Sequence, residues 1–405
     1  MSEKRILCLP ASILTFVWCL SGCSAQIPAE PTQVGRTIPA QVTSATSLPA
    51  TATIPPVTAT QPSPTSTSSL SVPTPAPAGY PLAEPGPYYV GRRTYQLVDA
   101  SRNNRPVEII VWYPALLAEG SKGTVPMREA EPDFSGAPYP VILSDTKAAG
   151  IFVQTIVSHG FAWVSVNKID TYNPWDENLF LQPLDQLFAL DQVSANPPQG
   201  LEGLLDTDHA GATGYSFGGN NALTLGGPRI DPSFYLATCQ DQEAVKSSPV
   251  RFWDYVCAPA ARWEDFSAAA GARLTQSEDG LWQPMTDERI QAVAPLAGEG
   301  WWLYGEKGLA SANRPTLMIA ATNDGLYDEN AWLFEHLQTP DTVMISFIGP
   351  GHMMIYEPDM IARMAHFITA FFGVHLQGRE DLAWYYSEEF VRQHEDLAWG
   401  VYQGE

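Results

Sequence analysis

Gly214-Tyr215-Ser216-Phe217-Gly218-Gly219 decides how this chain is read. It is a G-x-S-x-G pattern set between two different kinds of segment. His209 to Thr213, mostly small residues, precedes it and reads as a short buried strand. Asn220 to Leu225 follows and reads as the start of a helix. Glycines let the backbone turn sharply from strand to helix without a Cβ clash. Such a turn lifts the Ser216 hydroxyl out of a sheet and aims the free N–H groups of a helix N-terminus at it. In a chain rich in Gly and Ser the bare pattern is a weak signal, so its partners carry the argument.

Those partners follow in order. Thr316 to Ala321 is an apolar strand that ends at Asn323-Asp324-Gly325. A carboxylate there sits at the carboxyl end of a parallel strand, where open α/β sheets place their sites. Thr342 to Ile348 is a second strand, and it ends in Gly349-Pro350-Gly351-His352, a loop that can aim an imidazole back across the sheet. Asp324 then fixes the tautomer of His352, and His352 takes the proton of Ser216. Asp328 is a rival acid, placed inside the next helix. His159, in Ser158-His-Gly-Phe161, reads as a cation offsetting the dipole of a helix C-terminus. His366, His375 and His394 fall in helical or tail stretches.

Acyl transfer also needs donors for an oxyanion. The N–H of Phe217, the residue after the candidate nucleophile, is one. The other is expected from the loop after the strand Pro140 to Leu143, read as Ser144 to Gly150, with Lys147 favoured and Thr146 as the alternative. A helix around Phe152 to Ser158 and the strand Ala162 to Val166 come next. Trp301-Trp302, just past the strand Ile290 to Leu296, are candidate pocket residues.

This order of segments resembles the branch of α/β-hydrolases that holds platelet-activating-factor acetylhydrolases, dienelactone-hydrolase-like proteins and cutinase-like polyester hydrolases. The residues that carry the resemblance are Val107 to Pro114, Ser158 to Val164, Gly214 to Gly219, Pro315 to Asp324 and Gly351-His352, within about residues 85 to 377. It implies a mostly parallel sheet flanked by helices and a Ser216-His352-Asp324 triad acting on carboxylic esters, with no cofactor. A phospholipid acetylhydrolase and a polyester hydrolase are its two variants, and a non-catalytic binding lipoprotein on the same fold is the reading from another class. The chain departs from the branch at three points. Acetylhydrolases usually carry Ser-His-Gly-Leu-Gly where Ser144-Asp145-Thr146-Lys147 stands here. Dienelactone hydrolases proper use Cys in place of Ser216. Some acetylhydrolases take the acid from the strand before Thr316, whose end here offers Glu299.

The ends of the chain speak of export. Lys4-Arg5, the apolar run Ile6 to Leu20 and Leu20-Ser21-Gly22-Cys23 read as a bacterial lipoprotein signal peptide, residues 1–23, with Cys23 lipidated. Ser24 follows, so nothing argues for inner-membrane retention. Residues 24–86, rich in Pro, Thr, Ser and Ala, bury too little apolar surface to fold and read as a stalk. The catalytic domain is then 87–405, exported, membrane-anchored through Cys23 and monomeric. A net charge of −22 argues against nucleic acid and anionic lipid surfaces as partners and suits solubility in an extracellular setting; the partner that the resemblance implies is a small-molecule or lipid ester substrate. Cys239 and Cys257, in an exported domain, suggest a disulfide.

Within the domain, Val90 to Val98 and Pro106 to Tyr113 read as a hairpin turned at Asp99 to Asn104. Strands then alternate with helices, Leu181 to Val193 among them, as in a doubly wound sheet. Residues 228–289 form a cap-like insertion rich in aromatics: Phe234, Tyr235, Phe252, Trp253, Tyr255, Trp263, Phe266 and Trp282. Glu380 to Trp384 and Glu395 to Trp399 repeat one motif, and both read as helix packing Leu and Trp on the domain. No metal-ligand cluster, phosphate loop or dinucleotide fingerprint is present in the sequence.

Overall fold

A computed structural model describes residues 79–167, 174–241 and 253–404. The signal peptide with Cys23 and all of the stalk up to residue 78 lie outside the described residues, as does Phe252. Ten strands form one sheet: β1 (Tyr89–Asp99), β2 (Arg105–Ala115), β3 (Met127–Arg128), β4 (Tyr139–Asp145), β5 (Ala162–Val166), β6 (Leu205–Tyr215), β7 (Ile290–Leu296), β8 (Thr316–Ala321), β9 (Thr342–Phe347) and β10 (Leu397–Trp399). Their spatial order is β10-β9-β8-β7-β6-β4-β5-β2-β1-β3. The stretch β5-β4-β6-β7-β8-β9 is parallel throughout. Among the described strands of the sheet, β1–β2, β2–β5 and β9–β10 pair antiparallel. The chain is therefore an α/β protein with a mostly parallel sheet.

Helices cover both faces, as parallel sheets require. Those used below are α1 (Thr146–Ser158), α2 (Asn178–Ala195), α3 (Phe217–Leu225), α4 (Pro232–Gln240), α5 (Trp253–Val256), α6 (Trp263–Ala270), α7 (Ala272–Thr275), α8 (Trp301–Leu309), α9 (Tyr327–His336), α10 (Pro358–Gln377) and α11 (Glu388–Val391). In β5, Trp163 joins a core shared with α1 and α10, while Ala162, Val164 and Val166 join one shared with α2 and α3. That is the period-2 alternation of a strand buried on both faces. None of the described helices is long and apolar enough to cross a membrane.

The hairpin forms where its alternation places it, turned by Asn103 and Asn104 in the left-handed region. Four expectations need correction. Ser144 to Gly150 is not a loop: β4 runs through Asp145 and α1 begins at Thr146, its N-cap carboxylate Asp145 Oδ1 accepting the N–H of Ala148 at 2.9 Å. The folded domain starts before residue 87. Tyr80 accepts a hydrogen bond from Arg363 Nε (3.0 Å) and stacks on His394, and the N–H of Leu82 donates to His366 Nδ1 (3.1 Å). His159 does not serve as a cation. Its Nε2 donates to Glu84 O (2.9 Å), and burial lowers its pKa, which keeps it neutral. Finally, the two copies of the tail motif fold differently. Glu380–Tyr386 is a 3-10 helix, whereas Leu397–Trp399 is β10, paired with the otherwise open edge of β9.

The insertion contains α4, α5, α6 and α7, with Cys239 bonded to Cys257 across a sequence separation of 18. Tyr235, Phe266 and Trp282 are fully buried, and they share a core with Trp175 and Phe180 near α2 and with Phe217 of α3. The aromatics pack on one another and against α3, the helix that begins at the strand-to-helix elbow of Gly214 to Gly219.

Candidate active site

Three strands of the parallel stretch converge on one site at the sheet's carboxyl edge. β6 delivers Ser216, β8 delivers Asp324 and β9 delivers His352. His352 Nε2 lies 3.0 Å from Ser216 Oγ, and His352 Nδ1 lies 2.7 Å from Asp324 Oδ2. Asp324 is buried and its other oxygen, Oδ1, accepts the N–H of Leu326 at 2.9 Å. A carboxylate so held has one oxygen left for the imidazole. That fixes the proton on Nδ1 and leaves the Nε2 lone pair facing the serine. Asp328 is exposed on α9 and makes no such contact.

The elbow itself is strained. Ser216 has φ 61° and ψ −120°, a conformation that costs a non-glycine residue about 1–3 kcal/mol. The glycines around it do not supply positive φ; they permit contact. A Cβ on Gly214 would overlap the carbonyl of Gly218, and one on Gly218 would overlap the carboxylate of Asp145. A Cβ on Gly219 would lie 2.8 Å from Leu296 O. The Ser216 N–H donates to that same Leu296 O (2.9 Å), which ties the elbow to the end of β7. The strain thus persists because backbone packing on two sides over-determines it.

Phe217 is the first residue of α3, so its N–H is among those no intrahelical bond uses. Lys147 sits in the first turn of α1, two residues after the N-cap Asp145. Since β4 and β6 are parallel neighbours, the N-termini of α1 and α3 open at the same edge of the sheet, and the Asp145–Gly218 contact joins them. Thr146, the alternative donor, turns its hydroxyl to Val166 O and Asn167 Oδ1, both at 3.0 Å. Trp301 and Trp302 are buried at the start of α8. Trp301 packs edge-on to Phe234 (5.7 Å) and to the half-exposed Trp332 (5.3 Å).

Three residues in this neighbourhood carry no signal in the sequence pattern. Tyr215 is buried and its OH donates to the carbonyl of His352 at 2.6 Å; burial and the charge of Asp324 raise its pKa, so it stays a donor. Glu329 and Asn330 on α9 reach across to the turn after β7. A Tyr inside G-x-S-x-G and an acid in a helix are too common to stand out. Among the described residues, no group of three or more His, Cys, Asp or Glu comes together in a way that could hold a metal ion. Compared with protein-family models and with curated proteins, the chain matches none.

Proposed function

We propose that this protein is a serine hydrolase of the α/β-hydrolase fold that cleaves carboxylic esters. The observation that carries the reading is the Ser216–His352–Asp324 relay, at 3.0 and 2.7 Å, with the serine in a strained strand-to-helix turn. The strand order and the position of each residue at a strand's carboxyl end support it. Ser216 Oγ attacks the acyl carbon while His352 Nε2 takes its proton. The imidazolium so formed is held by Asp324 and returns the proton to the leaving alcohol. The acyl-enzyme is then hydrolysed by a water that His352 activates in turn. The N–H groups of Phe217 and Lys147 hold the oxyanion, and losing one such donor costs ~10²–10³ in rate. No step asks for a cofactor.

The aromatic insertion, seated on Phe217 and Trp301, acts as a cap that keeps water from the acyl group. The Cys239–Cys257 bond supports an oxidising compartment, in keeping with export and lipidation at Cys23. The test is hydrolysis of p-nitrophenyl acetate, butyrate and octanoate by wild type and Ser216→Ala. Wild type is expected to turn over and to label on Ser216 with a fluorophosphonate. The variant should lose ~10⁴–10⁶ in kcat. A folded wild type that neither turns over nor labels leaves the binding lipoprotein.

A further inference from the structure

Behind the nucleophile lies a short strained segment, Ala297 to Trp301, between the end of β7 and the start of α8. Ala297 has φ 43° and Gly300 φ 139°. One side of this segment backs the elbow. The Ser216 N–H bonds Leu296 O, and a Cβ on Gly219 would come within 2.9 Å of Gly298 Cα. The other side is gripped from α9. Glu329 Oε1 accepts the N–H of Gly300 at 2.6 Å and of Trp301 at 2.9 Å. Asn330 Nδ2 donates to Gly298 O and to Leu326 O, both at 2.8 Å. The start of α9 is tied in turn to Asp324, whose Oδ1 takes the Leu326 N–H and whose carbonyl takes the Tyr327 N–H at 3.0 Å. The segment is therefore clamped between the turn that carries the serine and the turn that carries the acid.

We propose that Glu329 is a positioning residue for the Ser216 site. Resting on the hydrolase reading above, the assignment is that its carboxylate, by holding the Gly300–Trp301 amides, sets the elbow in register with Asp324 and His352. Glu329 is 3% exposed, and its second oxygen has no hydrogen-bond partner among the described residues. Burial, with the charge of Asp324 adding, pushes its carboxyl up to about 7. A carboxyl kept in so costly a place, for one oxygen that grips two consecutive amides, fits a role in alignment better than one in stability. Rate is sensitive to such alignment: a displacement of about 1 Å by a residue away from the chemistry can cost ~10²-fold.

The test pairs amide hydrogen exchange at Gly300 and Trp301 with steady-state hydrolysis of p-nitrophenyl acetate. Glu329→Gln keeps an acceptor oxygen and removes the charge. It should keep both amides protected and kcat within about threefold of wild type. Glu329→Leu strands both N–H groups. Their exchange should accelerate at least about tenfold, and kcat should fall ~10–100-fold with KM little changed. Should Glu329→Leu not fold, Glu329→Asp carries the same test, since its carboxylate is one methylene too short to reach. Loosened amides with wild-type kcat would overturn the proposal. So would a Glu329→Gln as slow as the leucine variant with its amides still protected. A wild type that neither turns over nor labels on Ser216 sinks the hydrolase reading instead, and the exchange rates still decide the clamp.

Discussion

The turn at Ser216 and the insertion at residues 228–289 are held by opposite means. Around Ser216 the contacts are backbone on backbone. Gly214 meets Gly218, Gly219 meets Leu296 and Gly298, and buried polar groups tie the turns together. In the insertion the contacts are ring on ring. Trp263 lies 5.5 Å from Tyr235, 5.4 Å from Phe266 and 5.7 Å from Trp282, and one disulfide closes the segment. Hard-sphere contact between main chains dictates residue identity. Packing of large side chains dictates only class and volume, because rings of similar size can be rearranged at modest cost. The first region is accordingly rigid and rule-bound, and the second is a filled space.

The sharpest way to break that contrast is to add one methyl group. Gly214→Ala should destabilise by about 3 kcal/mol or more and abolish labelling of Ser216, because the new Cβ overlaps the Gly218 carbonyl and neither chain can yield. The control is the same change at Gly150. That residue lies exposed within α1 and has nothing within 4 Å of an added Cβ, so Gly150→Ala should stabilise by ~0.5–1 kcal/mol. Urea unfolding of the two variants measures both. Equal effects would show that the close approach at the elbow can be relieved.

A smaller effect tests the insertion. Replacing Cys239 and Cys257 together by Ser opens a loop of 18 residues and should cost ~3 kcal/mol by the chain-entropy argument. Turnover of the acetate ester should stay within about threefold, since the bond touches the site only through side-chain packing. A loss of activity as complete as that of Gly214→Ala would mean that the insertion shapes the elbow rather than covers it.

How legible each region was follows from the same contrast. Ala162 to Val166, Ile290 to Leu296 and Thr316 to Ala321 are mostly apolar runs, and each is a strand with those bounds. Ser216, Asp324 and His352 could be paired because each follows such a run. The start of α1 was hidden because Ser144-Asp145-Thr146-Lys147 is polar enough to pass for a loop; only the Asp145 cap on Ala148 reveals a helix. Tyr80 was hidden by the Pro-rich stretch before it, although Arg363, His366 and His394 make a socket that the sequence scatters over the last part of the chain. The second tail motif became a strand because β9 had an edge to offer, which no local pattern records. Glu329 stands in a helix with acidic neighbours, and its burial is a property of the fold alone.

Tyr215 draws the comparison to its finest scale, because one residue there combines both modes of packing. Its ring lies 5.4 Å from that of His352, and its hydroxyl donates to the His352 carbonyl at 2.6 Å. Strand β6 thereby places Ser216 through its backbone and anchors His352 through a side chain one residue earlier. Tyr215→Phe removes only the hydroxyl. The ring contact remains and the fold should persist, but a half-buried carbonyl loses its donor, at a cost of ~1 kcal/mol. If the bond serves to hold His352 in line with Ser216, kcat for the acetate ester should fall ~5–10-fold with KM unchanged, and fluorophosphonate labelling should slow in parallel. A drop in thermal stability with unchanged kcat would assign the hydroxyl to the core instead. Asp324, with the Tyr215 ring beside it, would then hold the imidazole, and the close backbone packing of the elbow would have to account for the rest of its alignment.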